Sequence, residues 1–538
     1  MIRIHNVKVP LDYSPKLLSS AAAKKIGVAP SQIVSCEVVK KSIDARKKND
    51  VCYVVSIDVQ LKSPAEEKRV AGKLNPSVGA IASPYTPPEI VRLSSTPAIR
   101  PVVVGFGPAG LFAALTLAQA GACPIVLERG QDVETRTRDV NAYWKDGQRA
   151  FNPRSNVQFG EGGAGTFSDG KLNTGTKDPR SEHILRTFVR FGAPQEILVN
   201  AKPHIGTDKL VHVVKSMREK IIRLGGEVHF GTKMTNLIRK DDAVCALVYE
   251  DQSGEHEIPA NHVILAIGHS ARDTFTMLHE SSFSLEQKPF SIGARIEHPQ
   301  MLINRAQYGD FASHPALGAA DYKLALHLES GRSVYTFCMC PGGSVVASAS
   351  EPDSVVTNGM SCFARDRENA NSALLVGVEP SDFGGNHPLA GLFLQREIER
   401  KAFILGGGSG FAPAQLVGDL LSGRASTKLG TVTPSYRPGI TLCDLSALFP
   451  GFIVESMCEA LPLLGRKLKG FDHPDAVLTA PETRSSSPVR IPRGADLVSI
   501  DMRGLYPCGE GAGYAGGITS AAVDGVRCAE AVLSSLMA

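Results

Sequence analysis

The chain reads Arg100-Pro-Val-Val-Val-Gly-Phe-Gly-Pro-Ala-Gly110, and Ile125-Val-Leu-Glu-Arg129 follows. Val102, Val103 and Val104 are a β-branched run of the kind that forms a buried strand. The run turns on Gly105 into a helix that opens at Gly107, Pro108 and Ala109 and runs through Leu111–Gln119. Gly105 suits the tight turn and Gly107 leaves the backbone bare toward whatever lies above it. Gly110 lets helix and strand pack closely. A helix amino end presents free N–H groups and the positive end of a dipole, which suits phosphate. Glu128 stands eighteen residues past Gly110, next to Arg129 and at the end of a second strand, Pro124–Leu127. There a carboxylate accepts the hydroxyls of an adenosine ribose. Strand, glycine turn, helix, strand and acid in this order predict a dinucleotide site in a Rossmann-like α/β domain.

Three later segments extend that reading. Gly160-Glu-Gly-Gly-Ala-Gly-Thr-Phe-Ser-Asp-Gly-Lys171 is too glycine-dense to be explained by packing, because glycine costs backbone entropy. Its Gly162, Gly163, Ala164, Gly165 and Thr166 are expected against a cofactor. A helix over Lys209–Leu224 and a charged hairpin at 239–258 precede Asn261-His-Val-Ile-Leu-Ala-Ile-Gly-His269, a buried strand ending at Gly268. The last segment, Gly504-Leu-Tyr-Pro-Cys-Gly-Glu-Gly-Ala-Gly-Tyr-Ala-Gly-Gly-Ile518, delivers Gly509 and Glu510 and then opens a final helix, Ile518–Leu536, after Gly516 and Gly517. FAD carries a ribityl chain besides its pyrophosphate and needs this second acidic anchor, whereas NAD alone does not. The cofactor expected is FAD, with the final helix dipole facing the flavin N1–C2=O edge.

Composition sets the boundaries. With 538 residues, 43% hydrophobic and 21% charged, the chain is expected to be soluble, globular and divided into several domains. It starts without a signal pattern, and no apolar run reaches the ~20 residues that span a bilayer. Eleven cysteines, an odd number without a C-x-x-C pair, predict reduced thiols, a cytoplasmic location and no metal site. Residues 1–75 hold eleven Lys and three Arg against seven acids, a net +7, leaving −3 for the rest. Their βαββα pattern suggests a ferredoxin-like module. Its Lys40–Lys48 loop is either a solvated hairpin tip or a docking surface for RNA or an acidic partner. Five prolines in 75–98 read as a linker.

At these residues the chain resembles the two-dinucleotide-binding-domain flavoprotein superfamily, and within it a bacterial family of uncharacterised FAD-dependent dehydrogenases. The shared motifs are G-F-G-P-A-G at 105–110, G-G-A-G-T-F-S-D-G-K-L at 162–172 and F-C-M-C-P-G-G at 337–343, with E-T-R-S-S-S-P-V-R-I at 482–491 and C-G-E-G-A-G-Y-A-G-G-I at 508–518. The resemblance covers nearly the whole chain. It implies FAD binding and redox activity and no particular substrate. Glu510 departs from the Asp common at this place, and its extra methylene should still reach a ribityl hydroxyl.

The expected organisation is a basic module and linker over 1–95, an FAD-binding domain over 96–280 and 485–538, and a mixed α+β substrate cap over 281–484. A second nucleotide fold is not expected. Leu405-Gly-Gly-Gly-Ser-Gly410 follows a charged helix pattern rather than a strand, so any NAD(P)H would bind transiently in the cap cleft. Catalytic groups are less defined, since the flavin itself carries the hydride chemistry. Cys338 and Cys340 share a face if Val334–Cys340 is a regular strand, as a redox relay or as quiet packing. Lys171 and Asp169 face the cofactor or salt-link the end of their loop. Arg484 and Arg490 either clamp an anionic substrate or pair with carboxylates, and His269 approaches the cofactor or caps its turn. The function expected is hydride transfer between a small-molecule substrate and flavin N5. The alternative is an RNA-modifying or macromolecule-docking flavin factor that uses the basic module.

Overall fold

The computed structural model describes residues 1–175 and 177–538. Val102–Val104 is the central strand of a five-stranded parallel sheet. Ile125–Leu127 and then Glu227–His229 lie on one side of it, Val263–Leu265 and then Leu505–Pro507 on the other. Strands buried on both faces need an unbroken apolar run, and all three valines are buried. The strand from the far carboxyl-terminal end therefore returns to the sheet of the first motif. Helices Pro108–Gln119 and Ile518–Met537 pack against each other on one face of that sheet. At their crossing a Cβ on Gly525 would collide with the Ala109 carbonyl.

The helix expected over 209–224 spans Thr207–Arg223. The charged hairpin is in fact a three-stranded antiparallel sheet, Lys233–Lys240, Ala243–Asp251 and Gly254–Pro259. The cap is a seven-stranded mixed sheet whose long members are Phe290–Pro299 and Asn369–Val378. Helix Ala390–Leu405 ends at Gly406, so Gly406–Gly410 is a helix end and loop, with no strand leading into it.

The amino-terminal module has strand order Ile33–Asp44, Cys52–Leu61, Ile2–Val9, Gly79–Ile81, all neighbours antiparallel, with helices Pro15–Ile26 and Pro64–Ala71 between them in sequence. This is the split arrangement of a ferredoxin-like fold. The short Gly79–Ile81 strand lies in the stretch expected to be linker. Hydrogen bonding to Ile2–Val9 makes a three-residue edge strand there, which its composition does not announce. The module is docked on the rest of the molecule: its buried residues join those of the cap in one apolar cluster. The Lys41 amide donates to the Val199 carbonyl at 2.8 Å, and the Lys41 carbonyl accepts from Ala201 at 2.9 Å. The Tyr53 hydroxyl and the Lys48 ammonium donate to the cap carbonyls of Ala316 and Gln307. Part of the basic loop is thus engaged by the cap. Among the described residues no helix is long and apolar enough to cross a membrane.

Candidate active site

The carboxyl ends of the parallel strands open into a cavity of about 520 Å³, where ligands of open α/β sheets bind. One wall is the first motif: Gly105, Gly107, Pro108, Ala109, Glu128 and Arg129 all line it. Gly163, Ala164, Gly165 and Gly268 line it as well, and so do Glu510, Gly516, Gly517 and Ile518 from the last motif. Two segments some 400 residues apart in the chain (residues 107 and 510) therefore face one space.

Four predicted residues sit behind this wall. Gly110 packs under the turn, where a Cβ would run into the Gly105 carbonyl oxygen. The Gly162 amide donates to the Phe106 carbonyl at 2.8 Å. Buried Thr166 accepts from the Thr207 hydroxyl at 2.7 Å through its carbonyl. The Gly509 amide donates to Asp524 at 2.7 Å, and Asp524 is paired in turn with Arg493. Asp524 and Arg493 escaped the sequence reading because nothing in a helical D-G-V-R marks its Asp as a partner for a distant turn.

The cavity wall fits an FAD in three ways. A Cβ on Gly268, Gly516 or Gly517 would meet no protein atom within 4 Å, and one on Gly107 would meet only the Gly163 Cα at 3.7 Å. Backbone there is bare toward the cavity. Neither Gly107 nor Gly517 supplies a side-chain cap to the helix it opens, so both helix amino ends are left for a ligand. Both acids also keep acceptor capacity. The Glu128 carboxylate accepts from the amides of Gly130 (2.8 Å) and Gly160 (2.9 Å) on one oxygen but from Phe106 alone (2.7 Å) on the other. A carboxylate has about four acceptor positions, so one or more remain. Glu510 has no protein hydrogen-bond donor among the described residues, and burial pushes its carboxyl up to about 7, with Lys288 opposing. Arg129 is turned aside: it pairs with Asp273 at 2.9 Å and lies over the Phe159 ring.

The opposite wall belongs to the cap. Phe337 and Cys338 line it, with Lys323, Arg365, Glu482 and Arg484. The same-face expectation for Cys338 and Cys340 fails, because the strand Ser333–Cys340 carries a bulge. Phe337 pairs with Ala373 and Cys340 with Asn371, so one extra residue is inserted between them. Cys338 adopts φ +42° and faces the cavity, while Cys340 is buried behind it. Arg484 is committed elsewhere. It binds Glu399 through two nitrogens (3.0 and 2.8 Å) and the hydroxyls of Ser270 and Ser350 through a third. Arg272 neutralises the same Glu399 from the other side at 2.8 Å. Arg490 is exposed, its guanidinium over Tyr514. Asp169 pairs with Arg365 through both oxygens, at 2.9 and 2.5 Å. His269 lines the cavity, hydrogen-bonded to Ser270 at 2.9 Å; burial, with Arg484 and Arg272 nearby, pushes its ring down to about 3, leaving it neutral.

Arg295 was not anticipated. It is fully buried and spends its guanidinium on Glu482 (2.5 and 3.0 Å), Asn358 (2.9 Å), Asn371 (3.2 Å) and the Cys338 carbonyl (2.8 Å). The available signal was an arginine inside the apolar run Phe290–Ile296. Lys323 on this wall and Lys171, at the end of the glycine loop, differ from the other cations lining the cavity, since among the described residues neither has a carboxylate partner.

A parallel sheet with a glycine turn, a ribose acid and a returning second acid over one cavity defines an FAD-binding protein of the Rossmann type. A model described as "FAD-dependent protein, C-terminal domain-like" matches residues 289–485, and a domain of unknown function matches 1–60. An uncharacterized protein of Clostridium beijerinckii is 49% identical over 533 residues, covering 99% of this chain and 98% of its own. The chain belongs to the family of this clostridial protein, a family of FAD-dependent proteins. Among solved structures, the flavin-dependent brominase Bmp2 is similar at 12% identity and TM-score 0.38, over 82% of this chain and 79% of that one. The glycerol-3-phosphate dehydrogenase from Bacillus halodurans complexed with FAD is similar at 10% identity and TM-score 0.35, over 82% and 65%. Likenesses of this size bear on neither reaction nor substrate.

Proposed function

We propose that the protein is an FAD-dependent oxidoreductase that exchanges a hydride with a small anionic organic molecule held between the nucleotide-binding sheet and the cap. The observation that carries this reading is the single cavity with two unlike walls. One wall is bare glycine backbone with two helix amino ends and two acids; the ammonium groups of Lys171, at the end of its glycine loop, and of Lys323, on the cap, face the same space with no carboxylate partner among the described residues. FAD, when bound, supplies a two-electron acceptor at N5.

The chain's own residues do the rest. The amides opening helix Pro108–Gln119 would hold the pyrophosphate, Glu128 would take the adenosine ribose and Glu510 the ribityl hydroxyls. The amino end of helix Ile518–Met537 would offer its N–H groups and dipole to the flavin, which would favour a negatively charged reduced form. Lys171 and Lys323 attract the substrate's anionic group, and the cap excludes water from the reacting centre. Neutral His269 is available as a hydrogen-bond partner and carries no charge above about pH 3.

The test is anaerobic rapid mixing of the holoprotein with a panel of small carboxylic acids, their uncharged amides or alcohols, and separately NADH and NADPH, following flavin bleaching. The reading expects bleaching by a carboxylate, with a raised KM in Lys171→Ala. Equal bleaching by the uncharged analogues, unchanged in Lys171→Ala, contradicts the anionic substrate. Bleaching by NADH or NADPH identifies the electron donor.

A further inference from the structure

We infer that Cys338 is a nucleophilic thiol of the cavity, placed to add to a soft carbon electrophile such as an α,β-unsaturated carboxylate. Three features separate it from the other ten cysteines. The bulge between Phe337 and Cys340 rotates it out of the core, whereas Met339 and Cys340 remain buried. Its carbonyl is gripped by Arg295 at 2.8 Å, and the Cys340 thiol lies 3.3 Å from the same oxygen, so the turn is fixed at a φ of +42° that a cysteine does not adopt without support. It lines the cavity from the cap side, and the other cysteine that lines it, Cys508, is fully buried in the facing wall.

The charges around it favour ionisation. Arg295 is ion-paired with Glu482 and Asp169 with Arg365. Glu510 holds its proton up to about pH 7. The hydrogen bond from Cys340 is the largest influence, and among the charges Arg295 and then Lys171 follow; together they hold the Cys338 thiol below its usual range against the opposing effects of burial and Asp169. The Cys340 thiol is pushed well above its usual range, first by its contact with Cys338 and then by burial, so it stays protonated and donates.

The step needs no oxidant. The sulfur electron pair forms an S–C bond at the β-carbon, the alkene π pair moves onto the carbonyl oxygen as an enolate, and a proton from solvent reaches the α-carbon. Reversal expels the thiolate. This inference does not depend on which molecule the flavin oxidises or reduces.

The experiment alkylates the holoprotein at pH 6 with matched reagents, anionic iodoacetate and neutral iodoacetamide, and maps modified peptides by mass spectrometry against time. At this pH an ionised thiol gains ~300-fold in thiolate over an ordinary one and loses about 30-fold in intrinsic nucleophilicity, a net advantage of about tenfold. The expectation is that Cys338 is alkylated about tenfold faster than any other cysteine, with iodoacetate favoured and that preference removed in Lys171→Ala. A single conjugated acid, fumarate, should protect Cys338 from both reagents. Alkylation of Cys338 no faster than the rest, or only as pH rises through the ordinary thiol range, overturns the inference. So does a preference for iodoacetamide. Cys338→Ser confirms the peptide assignment. Flavin reduction by carboxylates in that variant separates this inference from the oxidoreductase reading, which it leaves standing.

Discussion

At Gly107 the backbone has φ −72°, so alanine suffers no conformational penalty, and its Cβ would lie 3.7 Å from the nearest protein atom. Gly107→Ala should therefore fold like the wild type yet bind FAD poorly, because the methyl group projects to where the pyrophosphate approaches. Comparing circular-dichroism melting of the apoprotein with the flavin-to-protein absorbance ratio checks this. Glu399 has the opposite character. It sits unexposed between Arg272 and Arg484, which hold its carboxyl well below the usual range. Glu399→Gln leaves the buried Arg484 without a counter-charge and Arg272 with Glu351 alone, and should cost about 3–5 kcal/mol, measured by denaturant unfolding. A depressed carboxyl contributes stability above its unfolded pKa that disappears only in strong acid, so this loss should be undiminished at neutral pH. Glu510 has a raised carboxyl, and the sign reverses. The folded apoprotein keeps a proton that the unfolded chain releases, so its stability falls relative to Glu510→Gln as pH rises from the ordinary 4.5 to about 7, and is level above that. Paired thermal melts across this range measure it.

At the scale of elements, the crossing of Pro108–Gln119 with Ile518–Met537 depends on the missing side chain at Gly525. Gly525→Val forces the helices apart and should cost about 1–3 kcal/mol or more, read as a lower Tm. This crossing keeps both helix amino ends on one cavity, so FAD affinity should fall with it. The elements that bind the nucleotide were legible because their physics is local: a β-branched run, a turn glycine, a helix start and an acid follow one another within thirty residues. The first strand and helix of the amino-terminal module, Ile2–Val9 and Pro15–Ile26, were legible for the same reason. What sequence could not give was set by distant partners. The Phe337–Cys340 bulge exists only against Asn369–Val378, and Gly79–Ile81 becomes a strand only beside Ile2–Val9. The burial of Glu399 inside the charged pattern Gln395-Arg-Glu-Ile-Glu-Arg400 follows from two arginines 127 and 85 residues away.

Across the whole molecule, the amino-terminal module and the cap share one apolar cluster crossed by hydrogen bonds from Lys48 and Tyr53, and Lys41 bonds the module to Val199 and Ala201 of the nucleotide-binding part. Removing residues 1–81 would expose that apolar face. The truncated chain should aggregate or melt at lower temperature, as size-exclusion chromatography and calorimetry would register. The central claim is that one cavity, walled by residues near 107 at one end and 510 at the other, holds a single FAD. Its most direct test is the cofactor released on denaturing the purified protein, identified by mass and counted per chain, beside Gly107→Ala and Glu128→Ala. The account predicts one FAD per wild-type chain and little in either folded variant. Release of FMN, or full FAD occupancy in both variants, would contradict it.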